Sequence, residues 1–198
     1  MLKWIMEVIS SMGYVGIIFL MFVENVFPPI PSELIIPLAG FMITKGQLTF
    51  LGVVVAGTIG SVLGALPLYY LGKTIEEERL RGWINKYGRW LAISCRDIDR
   101  SKEWFEKYGG RTVLFCRLVP GVRSLISIPA GIERMNLMTF LAASAVGMAL
   151  WTTVLTTAGY LLGSNFTKVE EYLDPVSYFL VGGLIVFYIY RVITHKNK

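Results

Sequence analysis

Three long stretches of the chain carry no charged side chain: residues 46–72, 135–167 and 175–190. The first two exceed the ~20 residues an α-helix needs to cross a bilayer, and the third does so if Arg191 at its end extends toward the headgroups. The pattern therefore predicts three membrane-spanning helices. Four further apolar runs are shorter, at 8–23, 34–44, 112–116 and 124–132. They come in pairs, and each pair flanks a charged, proline-bearing break: Glu24 to Glu33 (ENVFPPIPSE) in one, Arg117 to Arg123 (RLVPGVR) in the other. Irregular backbone at membrane depth survives only when buried in protein or lining a wet cavity. Each pair is thus expected to be a re-entrant helical hairpin, its geometry set by Pro29 and Pro31 in the first and by Pro120, Gly121, Pro129 and Gly131 in the second. The run 8–23 has a second reading, as a full span extending through Phe27.

The pattern repeats. A shift of 90 positions sets Thr49 to Gly57 (TFLGVVVAG) on Thr139 to Gly147 (TFLAASAVG), and upstream Pro31 to Gly40 (PSELIIPLAG) resembles Pro120 to Gly131 (PGVRSLISIPAG). The interval from Gly40 to Gly72 equals that from Gly131 to Gly163. Each copy reads as a hairpin followed by one span. A hairpin returns to the side it left, so each copy makes one net crossing and the second enters from the opposite face. Inverted repeats of this kind are the layout of many secondary transporters, with the site at the repeat interface among broken helices. The expected fold is an all-α polytopic membrane protein forming a single membrane domain: repeat 1 over about 13–72, an amphipathic linker over 73–111, repeat 2 over about 112–163 and a C-terminal transmembrane helix at 175–193.

Composition agrees: 54% of the 198 residues are hydrophobic and 17% charged, with a mean hydropathy of +0.57, too apolar for an ordinary soluble domain. The formal charge is +5, and ten of the nineteen Lys and Arg fall between Lys73 and Arg111. By the positive-inside rule that linker and the C-terminus face the cytoplasm. Leu80, Trp83, Ile84, Tyr87 and Leu91 recur at helical spacing and place the linker in the membrane interface. The basic patch signals topology and contact with anionic headgroups; nothing resembles a nucleic-acid readout module. The first apolar run lacks a cleavage site of signal-peptide type, so the start is expected to be retained. Cys95 and Cys116 form no disulfide framework or metal spacing, and no cofactor is implied. Gly57, Gly60 and Gly64, with Gly147 and Gly159, read as close helix packing.

The two breaks carry the chemistry. Glu24 and Glu33 are the groups that can take up and release protons, whereas Arg117 and Arg123 stay charged and present planar forks that fit phosphate bidentately. A site with both suits an anionic headgroup whose binding is coupled to carboxylate protonation. The plainer alternative is a permanent clasp in which the two acids pair with the two arginines.

At these motifs the sequence resembles the DedA family of bacterial membrane proteins, also called the SNARE-associated or VTT-domain family. The likeness runs over about residues 10–165 and rests on Glu24-Asn25 followed by Pro31-Ser32-Glu33, on Phe105 to Gly109 (FEKYG) leading to Arg117 to Arg123, on Ile128 to Met135 (IPAGIERM), and on Phe140, Gly147 and Trp151. Some members have Asp where this chain has Glu33. The resemblance implies two opposing re-entrant hairpins, phosphate binding by Arg117 and Arg123, and proton coupling by Glu24 and Glu33. It further implies lipid transport in the bacterial cytoplasmic membrane. The first expectation is a flippase that moves undecaprenyl phosphate from the outer to the inner leaflet for carrier recycling, dependent on the proton gradient. Alternatives are a flippase for phosphatidylethanolamine or another phospholipid, and a proton-coupled small-ion antiporter. An enzyme is not expected, because no nucleophile, His, Cys or metal-ligand cluster is evident. Assembly with further copies of the chain stays open.

Overall fold

The computed structural model describes residues 2–26, 32–75, 82, 103–105, 107–119 and 123–163. The expected third span at 175–190, the C-terminal tail with His195, Cys95, most of the basic linker, and Pro29, Pro31, Pro120 and Gly121 lie outside the described residues. Seven helices are delimited among the described residues, which hold no strand: α1 (Leu2–Met12), α2 (Tyr14–Val26), α3 (Ser32–Thr44), α4 (Phe50–Thr74), α5 (Gly110–Arg117), α6 (Ser127–Ile132) and α7 (Leu137–Leu161). The two longest, α4 and α7, have 25 residues each and are apolar enough to cross a membrane.

Their starts follow from local chemistry. Thr49 caps α4, its hydroxyl accepting from the Gly52 amide, and Asn136 caps α7, its carbonyl accepting from the Met138 and Thr139 amides. Each cap satisfies amides that the first helical turn leaves without partners. Pro37 and Pro67 sit inside α3 and α4. The first apolar run departs from both expectations for it. It is neither one half-span from residue 8 nor one full span, because Gly13 adopts φ +58 and ends α1 before α2 begins. A left-handed residue cannot continue a right-handed helix, and glycine reaches that conformation without a Cβ clash.

The packing is exchanged between the two halves of the chain. The helices leading into the two breaks pack on their own half's long helix, α2 on α4 and α5 on α7; those leaving the breaks pack on the other half's, α3 on α7 and α6 on α4. The long helices α4 and α7 also meet each other. Glycines make the exchange fit. A β-carbon on Gly40 of α3 would lie 2.6 Å from the Thr156 carbonyl oxygen, and one on Gly159 of α7 would strike the Pro37 backbone. In the counterpart contact, Gly131 of α6 lies against the Tyr69 carbonyl and the Lys73 amide, and Gly72 of α4 against the Ile128 backbone. Gly60 and Gly64 do the same for α2, meeting Ile18 and Phe22. Without a hydrophobic force between helices in lipid, such close backbone approach supplies much of the attraction.

Gly131→Val is expected to destabilise the detergent-solubilised protein by about 1–3 kcal/mol, as overpacking does elsewhere. Met138→Ala, at an exposed position, should leave it unchanged. Thermal unfolding of the two variants checks this.

Candidate functional site

The ends of the two breaks meet between the long helices. Glu24, in the last turn of α2, and Arg123, between α5 and α6, form an ion pair through the carboxylate Oε1 and guanidinium Nη2. Both residues are buried, at 5% and 7% exposure. The same Nη2 donates to the hydroxyl of Ser32, the first residue of α3. Asn25 donates to Glu24 Oε2 at 3.4 Å, while its own Oδ1 is buried without a partner among the described residues. Asn25 Nδ2 also donates to the Met21 carbonyl at 3.4 Å, which holds the amide in this orientation.

Arg117 is the largest fully buried side chain of the described residues, with 0% exposure. It ends α5 and faces no carboxylate within ion-pair distance among them. Instead it donates to Ser127 Oγ at 2.8 Å, to Ser144 Oγ at 3.2 and 3.3 Å, and to the Arg123 backbone carbonyl. Gly147 makes room for it, since a β-carbon there would lie 2.7 Å from that of Arg117. The guanidinium carbon is 5.6 Å from the centroid of the Phe140 ring, which stacks on Tyr69 at 4.7 Å. Tyr69 in turn donates its hydroxyl proton to the Met135 carbonyl. A row of aromatic contacts therefore ties α4 to α7 beside the buried arginine.

The four charged residues singled out in the sequence are not equivalent. Glu24 and Arg123 are joined directly, and Arg117 supports Arg123 through its backbone. Glu33, in the first turn of α3, is half-buried and among the described residues forms no ion pair. The symmetric clasp of two acids on two arginines is therefore not what forms: one pair closes. Pro129 and Gly131 lie in α6, where Gly131 sets the approach to α4. Ser127 and Ser144 were not anticipated, and Ser32 and Trp151 stood out only as motif residues. The Arg123 guanidinium lies 6.0 Å from the centroid of the Trp151 ring, whose Nε1 is buried without a partner among the described residues. The legible signal would have been a polar face on helices that otherwise read as uniformly apolar. No three His, Cys, Asp or Glu side chains among the described residues converge to hold a metal ion.

A VTT domain model matches residues 30–161. The chain belongs to the VTT-domain, or DedA, family. This VTT-domain chain is 41% identical over 195 residues to a Lactococcus lactis protein named alkaline phosphatase-like protein, covering 98% of this chain and 91% of that one. It is 39% identical to undecaprenyl phosphate transporter A of Staphylococcus aureus, covering 98% and 96%, and 32% identical to the Bacillus subtilis protein of the same name, covering 96% and 92%. No solved structure matches the VTT-domain chain.

The ion pair should dominate the site's stability. Glu24→Ala or Arg123→Ala alone leaves a buried charge unpaired and is expected to destabilise by about 3–5 kcal/mol. The double substitution should be milder than the sum of the two. A double-mutant cycle by thermal unfolding in detergent measures the coupling.

Proposed function

We propose that the chain is a lipid transporter that moves undecaprenyl phosphate across the bacterial cytoplasmic membrane, from the outer to the inner leaflet, and that the proton gradient drives it. The observation that carries this reading is the Glu24–Arg123 pair, buried at the meeting of two broken segments in a protein otherwise built of apolar helices. A guanidinium held by a carboxylate is a phosphate site with its occupant replaced. Protonation of Glu24 removes the competing charge and frees Arg123 for phosphate; release of that proton on the other side re-forms the pair and expels the lipid. Glu33, close by and unpaired among the described residues, is the second group able to relay protons. Arg123 meets the anionic headgroup, and Arg117, held by Ser127, Ser144 and the Arg123 carbonyl, adds positive charge to the same phosphate site. The names of the Staphylococcus and Bacillus relatives favour this lipid over phosphatidylethanolamine.

The exchanged packing of α3 on α7 and α6 on α4 supports the architecture this cycle needs. In it, α2 with α3 and α5 with α6 are two re-entrant hairpins, belonging to inverted repeats over about 13–72 and 112–163. The basic linker over 73–111 and the C-terminal helix at 175–193 complete the single membrane domain and put the linker and C-terminus in the cytoplasm. Two half-structures related in this way present the same groups to either face in turn.

Proteoliposomes carrying wild type or Arg123→Gln, assayed for undecaprenyl phosphate movement with phosphatidylethanolamine as competitor, decide the matter. With an imposed pH gradient the wild type should move the polyprenyl lipid, and Arg123→Gln should reduce the rate at least about tenfold, the effect of losing one charged hydrogen bond. Equal movement by both proteins, or none by either, would overturn the mechanism.

A further inference from the structure

Around the two guanidiniums stand three fully buried serines, Ser32, Ser127 and Ser144, each at 0% exposure. Every one is held as an acceptor: Ser32 takes a hydrogen bond from Arg123, and Ser127 and Ser144 take theirs from Arg117. A serine oxygen that accepts from an arginine keeps its own O–H to give. Among the described residues none of these three hydroxyls has an acceptor. The serines come from three different elements, the start of α3, the start of α6 and the middle of α7. Trp151, beside Arg123, adds a buried Nε1–H that is likewise unspent. Buried donors without acceptors are unfavourable, and four that find none among the described residues, beside two cations, mark a place suited to something that only accepts.

We infer that Ser32, Ser127 and Ser144, with Trp151, are specificity-determining residues that donate to the terminal oxygens of a phosphate monoester bound at Arg123. The inference rests on the lipid-transport reading above and adds how the headgroup is chosen. A monoester offers three terminal oxygens, no donor, and charge beyond −1 near neutral pH. A diester headgroup, as in an ordinary phospholipid, offers two such oxygens and a single charge, and leaves part of the hydroxyl set unanswered. Leaving buried donors unanswered is how a polar site rejects a near-match ligand far more strongly than an apolar pocket can. Arg117 acts here through its partners: by binding Ser127 and Ser144 as acceptors it turns their protons away from itself.

The test uses the full chain in a non-ionic detergent and titrates dodecyl phosphate, methyl dodecyl phosphate and inorganic phosphate by calorimetry. The wild type should bind the monoester at least about tenfold more tightly than the diester. Ser127→Ala and Ser144→Ala should each weaken monoester binding about ten- to a hundredfold, the loss expected for one hydrogen bond to a charged group. Diester binding should change less than twofold, which also reports that the variant is folded; Ser32→Ala, at the edge of α3, provides a third position, and Ser32→Thr, which keeps a hydroxyl, should restore the preference. Serine variants that retain the full monoester preference while the wild type binds dodecyl phosphate would overturn the inference and leave the transport reading standing. A wild type that binds neither lipid would overturn both. Inorganic phosphate binding as tightly as dodecyl phosphate would overturn the lipid assignment and give the hydroxyls to a free ion.

Discussion

A guanidinium that cannot reach water must find all its partners inside the protein, and the arrangement around Arg117 follows from that need. The side chain is fully buried, so its donors are distributed over two serine hydroxyls and the carbonyl of Arg123. Those partners lie on α7, at the start of α6 and in the break itself, which obliges the three to converge. Gly147 is small because the stem of Arg117 lies against it, and Phe140 offers its ring face to the charge. Arg123, held by its backbone in this way, is presented to Glu24 across the molecule. Remove the first arginine and the second loses the anchor that aims it.

The two arginines thus divide the work between holding and exchanging. Arg117 bonds to neutral groups that have no reason to leave. Arg123 bonds to a carboxylate whose charge can be cancelled by a proton, and to a hydroxyl at the first turn of the facing helix. A contact that a single proton can weaken is the one suited to open and close, whereas the other is suited to stay.

Much of this was legible in the sequence. Glu24, Glu33, Arg117 and Arg123 stand out because charge is conspicuous in apolar surroundings, and α4 and α7 because uncharged runs of their length have few other uses. The similarity between Pro31 to Gly40 and Pro120 to Gly131 hinted that Gly40 and Gly131 do corresponding jobs, and both press on the backbone of a long helix. Other features were hidden for identifiable reasons. Gly13 ends a helix, yet a glycine in an apolar run looks the same whether it turns the chain or admits a neighbour. Ser144 on an apolar helix usually bonds its own backbone, as Thr152 and Thr156 do on the same helix, so nothing in its neighbours announces a bond to Arg117. Which acid pairs with which arginine depends on how α2 and α6 are seated on α4 and α3 on α7, a tertiary matter that spacing along the chain does not encode.

That seating bears on how the protein is made. During synthesis α3 emerges with the surface around Gly40 and Pro37 exposed, and the helix that covers it, α7, comes roughly a hundred residues later in the chain. Glu24 is likewise complete long before Arg123 exists. Until the C-terminal half is made, Glu24 lacks its partner Arg123 and the face around Gly40 lacks α7. Once both halves are present they close on each other together, because neither can cover its own returning helix.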